Sequence, residues 1–348
     1  MNVLVVNDGT EVARLLCEYF SEKAQQDTHL GVKVVDLQRT QTSFVCGTFS
    51  ALPIREYRGD PGELAAAAGG AEGLVVHVAP VTREVMEAAP MLKFIACARG
   101  GPVNVDVKAA MERGIPVLYI PGRNANAVAE LTIGLMILLA RHVREAEEAL
   151  RRDRSAAWSS TVKRPLVGIE LDGKVLGIVG FGLVGRLVCR LALAFGMKVS
   201  AYDPYVEPAV IEAYGAKAAA LEEVLETSDF LSLHLRESAD TAGFMDRVKF
   251  SQMKRSAYFI NTARGSLVDE SALLEALDTG LIAGAALDVF AIEPLQSDSP
   301  LLRHKNVVLL PHIGGHTREV PLRSAQMLYE DILRLTQGEK PLRVLNAE

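Results

Sequence analysis

Three glycines at GxGxxG spacing, Gly180, Gly182 and Gly185, leave the middle of this chain little choice of local fold. They follow a short apolar run, Val175 to Val179, that reads as a buried parallel strand. They precede Leu187, Val188, Leu191, Ala192 and Phe195 at helical spacing. A second short strand, Lys198-Val-Ser-Ala-Tyr, delivers Asp203. Gly180 permits a tight turn out of the strand, Gly182 lets backbone approach a pyrophosphate, and Gly185 permits close helix–strand packing. The helix opens at Leu183 and Val184, and its first N–H groups have no intrahelical acceptor and suit an anion. The Asp203 carboxylate then takes the hydroxyls of an adenosine ribose. Glycines cluster in ordinary turns too, but strand, turn, helix and acid in this order make the spacing informative. Pro204 and Tyr205, not an arginine, follow Asp203. A 2′-phosphate there would meet an uncompensated negative charge, so NAD is expected over NADP.

At 348 residues the chain is long enough for two domains, each with its own core. A net charge of −6 gives no general attraction to nucleic acid or to an anionic membrane, and neither is expected as a partner. Cys17, Cys46, Cys97 and Cys189 form no CxxC pair, so no metal site and no disulfide framework is expected. The N-terminus enters a strand at once and lacks a basic leader. The most apolar stretch, 131–140, is bounded by Glu130 and Arg141 too closely to span a membrane. These features predict a cytoplasmic protein.

Before the glycine turn, strands are expected at Val3–Val6, Val32–Asp36, Leu74–His77, Phe94–Ala98 and Pro116–Tyr119. Between them lie helical segments at Glu11–Tyr19, Gly62–Ala68, Thr82–Ala88 and Val107–Arg113. The alternation predicts a parallel sheet. A break at 122–128 leads into one long helix, about Ala127 to Leu150, whose apolar first half is expected between domains or subunits. Trp158, in a polar segment, is assigned to packing. After the turn, strands are expected at Phe230–His234, Ala257–Asn261, Gly284–Asp288 and Val307–Leu310, with helices at Leu221–Glu226, Glu270–Leu277 and Arg318–Leu335.

The last three of these strands end in chemistry-bearing loops. They are Asn261-Thr262-Ala263-Arg264-Gly265, Asp288-Val-Phe followed by Glu293-Pro294, and Pro311-His312-Ile-Gly314-Gly315-His316-Thr317. With the glycine turn, these motifs resemble the D-2-hydroxyacid dehydrogenase family, which includes D-3-phosphoglycerate, glyoxylate/hydroxypyruvate and D-lactate dehydrogenases. The resemblance runs from about residue 74 to 330. It implies an α/β fold of two Rossmann-like or flavodoxin-like domains with parallel sheets. An NAD domain, 122–315, would be inserted into a discontinuous substrate domain, 1–121 and 316–348. It also implies a homodimer, for which the apolar helix around Ile133–Leu139 is the expected interface, and a 2-hydroxy acid with its 2-keto partner as ligands.

At matching positions the resemblance implies Arg264 as the substrate arginine, His312 as acid/base and Glu293 as its acidic partner. It implies Asp288 beside the nicotinamide carboxamide, with Leu235, Thr262, Ala263, Gly314 and Gly315 lining the cofactor. The residue types suit the chemistry. Hydride transfer to a 2-keto carbon leaves an oxyanion that needs a proton, and imidazole titrates near neutral pH. A carboxylate beside it favours imidazolium, and a guanidinium offers forked donors to a carboxylate. His234 reads as a packing residue and His316 as a loop contact. Where many members have His-x-Pro-Leu, this chain has His234-Leu-Arg236-Glu237, which predicts an altered loop.

The substrate end departs further. Ala98-Arg99-Gly100-Gly101-Pro-Val103 matches a loop whose amides cradle a carboxylate, but Val103 replaces a common aspartate and Arg99 adds a cation. His77 stands where phosphoglycerate-type members often carry arginine. Arg99 either replaces that charge or pairs with an acid. Glyoxylate or hydroxypyruvate is therefore expected ahead of a phosphorylated acid. Formate dehydrogenase shares the arginine but has glutamine at the Glu293 position. The C-terminal-binding corepressors share even the three catalytic-type residues, so a dinucleotide-sensing protein stays open as the alternative.

Overall fold

The structure, a computed structural model, describes residues 1–26, 30–37, 53–153 and 167–345. Trp158 and Cys46 lie outside the described residues. The chain divides into two compact units, Met1–Arg123 with His316–Glu348, and Asn124–Gly315.

Unit 1 opens with β1 (Asn2–Asn7), α1 (Glu11–Gln26), β2 (Gly31–Asp36), α2 (Pro61–Ala68) and β3 (Gly73–Val76). It continues through α3 (Arg83–Ala88), β4 (Phe94–Cys97), α4 (Val107–Glu112) and β5 (Val117–Tyr119). Strands β3 and β4 are buried at every position, which is why Gly-Leu-Val-Val and Phe-Ile-Ala-Cys read as unbroken apolar runs. Short helices start where a side chain satisfies an orphan N–H: Asp60 caps α2, Thr82 caps α3 and Asp106 caps α4. The parallel strands run β2-β1-β3-β4-β5, the doubly wound order whose switch point lies between β1 and β3.

Unit 2 begins with α5 (Ala125–Ala140) and α6 (Val143–Arg152). Then come β6 (Val175–Val179), α7 (Leu183–Ala194), β7 (Lys198–Tyr202), α8 (Pro208–Ala213), β8 (Lys217–Ala218), α9 (Leu221–Thr227) and β9 (Phe230–Leu233). It closes with α10 (Arg247–Gln252), β10 (Tyr258–Asn261), α11 (Glu270–Asp278), β11 (Gly284–Leu287) and β12 (Val307–Leu309). Its seven strands are all parallel in the order β12-β11-β10-β9-β6-β7-β8, and the winding reverses between β6 and β9. Ligands of such sheets bind outside the strand C-termini at that reversal, which puts the glycine turn after β6 at the expected place.

The chain then returns to unit 1 with α12 (Glu319–Thr336) and β13 (Val344–Leu345). Ala325, Leu328 and Ile332 of α12 join Leu16 and Phe20 of α1 over Val3, Val5, Phe94 and Leu118 in one apolar cluster. The short β13 pairs antiparallel with β5, so the unit 1 sheet is mixed at one edge.

The expected single helix after residue 127 is two helices bent by 61°. His142 sits in the left-handed region (φ 51), and the irregular segment ahead of β6 donates Ile169 N to Ala140 O at 2.8 Å. The last turn of α5 is thus capped by tertiary structure that periodicity does not encode. The apolar half packs one face within unit 2. Ile133, Met136 and Leu139 are buried in unit 2's own core, with Val188, Ala192 and Ile260, while Leu131, Gly134, Ile137 and Leu138 of the same helix are only partly buried. No single helix among the described residues is long and apolar enough to cross a membrane. Among those residues no group of three or more His, Cys, Asp or Glu is placed to hold a metal.

Candidate functional site

The glycine turn is built by exclusion of side chains. Gly180 has φ 96, and a Cβ there would lie 2.7 Å from the His234 backbone, across the switch point. A Cβ on Gly185 would fall 2.2 Å from Gly180 O, so the helix can sit this close to the strand only as glycine. A Cβ on Gly182 would meet nothing within 4 Å, and that side stays open. The first bond of α7 is Arg186 N to Gly182 O (3.1 Å), which leaves the amides of Gly182, Leu183 and Val184 outside the helical ladder. Asp203 accepts from Phe181 N (2.7 Å) and Tyr205 N (2.9 Å), so the ribose-type acid also braces the turn. Open amides, a helix N-terminus and a fixed carboxylate fit a dinucleotide's pyrophosphate and ribose. Beside them His234 bonds Ser232 Oγ through Nε2 (3.0 Å), and burial pushes its imidazole down to about 3. It is neutral at working pH, and packing describes it.

Three neighbouring strands of unit 2 deliver the reacting-end residues. After β10, the buried Asn261 brackets the loop: its Oδ1 accepts from Ala263 N (3.0 Å) and its Nδ2 donates to Arg264 O (2.8 Å). This holds Arg264 with its side chain exposed, and Nη1 donating to Ala263 O (2.7 Å). The Thr262 hydroxyl pairs with Thr132 Oγ1 (2.9 Å), so its side chain ties the loop to α5. After β11, Glu293 Oε1 accepts from Phe290 N (3.1 Å) and Oε2 lies 2.7 Å from His312 Nδ1. A carboxylate only accepts, so Nδ1 carries the proton and Nε2 is the ring atom left for a reactant.

His312 follows β12 in a left-handed conformation (φ 54), which a histidine adopts at a cost on the order of 1 kcal/mol. The buried Asp288 holds it there. Its carbonyl accepts from His312 N (2.9 Å), Oδ1 from Ile313 N (2.8 Å) and Oδ2 from Gly314 N (2.7 Å). Both carboxylate oxygens of Asp288 therefore have a backbone task beyond any cofactor contact. The N–H groups of Ala263 and Gly314 are spent inside the protein, and Gly315 packs so that a Cβ would lie 2.7 Å from Asn124 Nδ2.

Electrostatics of this cluster are set by the pair. The hydrogen bond to Glu293 raises the His312 pKa, burial opposes it, and Arg264 lowers it while Asp288 raises it. Burial pushes Glu293 up, but its bond to His312 and the charges of His312 and Arg264 outweigh that and hold it low. Burial raises Asp288 above the usual carboxylate value.

Unit 1 places its residues at the C-terminal ends of β3, β4 and β5, which pair side by side with Val76 opposite Cys97 and Cys97 opposite Tyr119. His77 follows β3. Asp8 Oδ1 accepts from the Thr10 hydroxyl (2.6 Å), and Thr10 Oγ1 lies 2.9 Å from His77 Nδ1. The hydroxyl proton goes to the carboxylate, so His77 Nδ1 is the donor and Nε2 an acceptor when the ring is neutral. Burial, then the charges of Arg123, Arg99 and His316, push the His77 pKa well below its usual value. Arg99 follows β4 and is consumed by Glu56: it forms an ion pair with the carboxylate and donates Nη1 to Glu56 O (2.8 Å). Of the two readings of Arg99, pairing with an acid is the one found. Gly100 and Gly101 are exposed, and among the described residues their N–H groups donate to nothing.

Sequence reasoning passed over Asn261 and Asp8, which hold site residues in place, and Arg123, which follows β5. Asn261 lies within the Asn-Thr-Ala-Arg-Gly motif and was legible as a loop bracket. Arg123 showed only as one residue of a chain break, and its surroundings depend on residue 324.

Residues 133–314 match the family described as D-isomer specific 2-hydroxyacid dehydrogenase, NAD binding domain. A glyoxylate reductase of Korarchaeum cryptofilum is 39% identical over 270 residues, 77% of this chain and 80% of the relative. D-3-phosphoglycerate dehydrogenase of Rattus norvegicus is 38% identical over 287 residues, 82% of this chain and 52% of the relative. The chain thus spans about half the length of the phosphoglycerate dehydrogenases it matches. Among solved structures, the apo D-lactate dehydrogenase of Escherichia coli superposes with a TM-score of 0.74 at 27% identity, covering 99% of this chain and 100% of that one. By the family match over more than half its length and by these relatives, the chain belongs to the D-isomer-specific 2-hydroxyacid dehydrogenases.

Proposed function

We propose that this protein is an NAD-dependent oxidoreductase that interconverts a 2-keto acid and its D-2-hydroxy acid. The observation that carries the reading is the His312–Glu293 pair beside Arg264, with the His312 ring protonated on Nδ1 and its pKa raised. NADH, when bound, supplies the hydride. The chain's own residues do the rest. Arg264 takes the substrate carboxylate and polarises the carbonyl. As negative charge develops on the carbonyl oxygen, His312 donates the Nε2 proton, and Glu293 stabilises the imidazolium before the transfer. In the oxidative direction His312 takes the proton back. Asp288 keeps His312 in the left-handed conformation through both.

Small polar acids, glyoxylate and hydroxypyruvate, meet these requirements. His77 supports hydroxypyruvate in particular, because its neutral ring offers Nε2 as an acceptor to a hydroxyl and no permanent charge to an anion. The reading includes a homodimer by family resemblance, to be checked by light scattering. Turnover of NADH with glyoxylate, hydroxypyruvate, pyruvate and phenylpyruvate tests the proposal. Turnover of none, with NADH still bound, would favour a dinucleotide-sensing protein instead.

A further inference from the structure

His77 and Arg99, the positions from which a second anion would be expected to draw its charge, are respectively neutral and paired with Glu56. Arg123 is different. It leaves β5 at the same sheet edge as His77 and the Gly100–Gly101 loop, and Ile120 N bonds Arg99 O (2.9 Å) to fix the two loops together. Its backbone is pinned by Arg323 Nη1 to Arg123 O (2.8 Å). Its side chain is half-buried, and among the described residues its guanidinium makes one hydrogen bond, Nη1 to the buried Ser324 Oγ (3.3 Å). It meets no carboxylate there. Burial, then the like charge of Arg99, bring its pKa down to about 10. A guanidinium placed this way still carries its proton at neutral pH, and among the described residues it is held in position without a counter-ion.

We propose that Arg123 is the receptor for a second anionic group on the substrate, a carboxylate or a phosphate remote from the reacting carbon. This rests on the 2-keto acid reading above and replaces its singly charged candidates, glyoxylate and hydroxypyruvate, with a doubly anionic acid. The substrate class is then a small 2-keto acid ending in a second anion, with His77 Nε2 beside it as an acceptor for a hydroxyl.

The test compares hydroxypyruvate, 3-phosphohydroxypyruvate and oxaloacetate as NADH-coupled substrates of the full chain, its Arg123→Gln variant and its Arg123→Lys variant. Inorganic phosphate binding is measured on the same proteins by calorimetry. At least one doubly anionic acid should exceed hydroxypyruvate in kcat/KM by about tenfold or more, the loss expected for one charge-assisted contact. That preference should collapse in Arg123→Gln, mainly through KM, and return in part in Arg123→Lys. A phosphate-terminated or a carboxylate-terminated winner identifies the anion. An equal loss for all three acids would place Arg123 on the common carboxylate and overturn the proposal, as would a preference that survives Arg123→Gln. If no acid is turned over, the proposed function fails by itself. Phosphate binding lost in Arg123→Gln would then still support the anion site, and binding indifferent to the substitution would overturn it.

Discussion

The strand-end loops of the two units hold similar residue types to different standards. In unit 2, His312 has Glu293 at 2.7 Å to set its proton and Asp288 to set its backbone, and Asn261 brackets Arg264. In unit 1, among the described residues, the Arg123 guanidinium has one serine contact, the Gly100 and Gly101 amides have no acceptor, and Arg99 is paired with Glu56. Groups that move a proton need a fixed pKa and direction, so their partners are built in. Groups that select a ligand keep their bonding capacity for that ligand. Internal satisfaction thus separates the residues proposed to react from those proposed to select.

The severest break of this contrast is His312→Ala. Turnover should fall by roughly two to four orders of magnitude while NADH binding, followed by fluorescence, persists. A loss under tenfold would move the proton donor elsewhere. Next in size is Asp203→Ala, since repulsion of a 2′-phosphate at an effective dielectric of about 20 amounts to a few kcal/mol. NAD over NADP selectivity should drop by about tenfold or more. Because Asp203 also accepts from Phe181 N and Tyr205 N, NAD affinity should weaken too. Comparable kcat/KM for both cofactors before mutation would refute the assignment.

Asp288→Asn probes the brace on His312. An amide cannot accept at both positions, and a lost bond to a charged acceptor costs about 1.5–3 kcal/mol. The variant should show a lower kcat with KM for the keto acid less affected, together with faster exchange of the Ile313 and Gly314 amides. Unaltered exchange would remove the bracing role. Glu293→Gln should act on pH dependence. Reduction needs imidazolium, so its rate falls as pH rises through the His312 pKa, which Glu293 raises against burial and Arg264 and with help from Asp288. Losing that carboxylate lowers the pKa and moves the falling limb toward acid. The smallest effect belongs to Glu56→Gln in unit 1, which frees Arg99. A partly exposed pair of this kind contributes at most about 1 kcal/mol, so the melting temperature should fall only slightly. If freeing Arg99 also raises the preference for doubly anionic acids, the selecting edge holds a second latent cation.

Local information explains what could be read from residues alone. The glycine turn was legible because Gly180, Gly182, Gly185 and Asp203 act within one strand–helix–strand unit, and steric exclusion at Gly180 and Gly185 is specific to glycine. Most elements lay within a residue or two of their expected bounds, for buried strands and capped helices announce themselves in composition. The short α8, β8, α10 and β13 did not, since segments this brief carry too little periodicity. Arg264, Glu293 and His312 were named through whole motifs, each at the end of its own strand.

Tertiary structure decided the remainder. It broke the long helix at His142 by docking Ile169 onto Ala140, and packed one face of α5 within its own unit. It gave Asp288 a backbone to hold, paired Arg99 with Glu56, and left Arg123 with Ser324, 201 residues away. Sequence sets the residue types and the local turns, where neighbours in the chain are neighbours in space. Which cation finds an acid and which is left for a ligand is a matter of distant segments meeting, and only the folded packing fixes that.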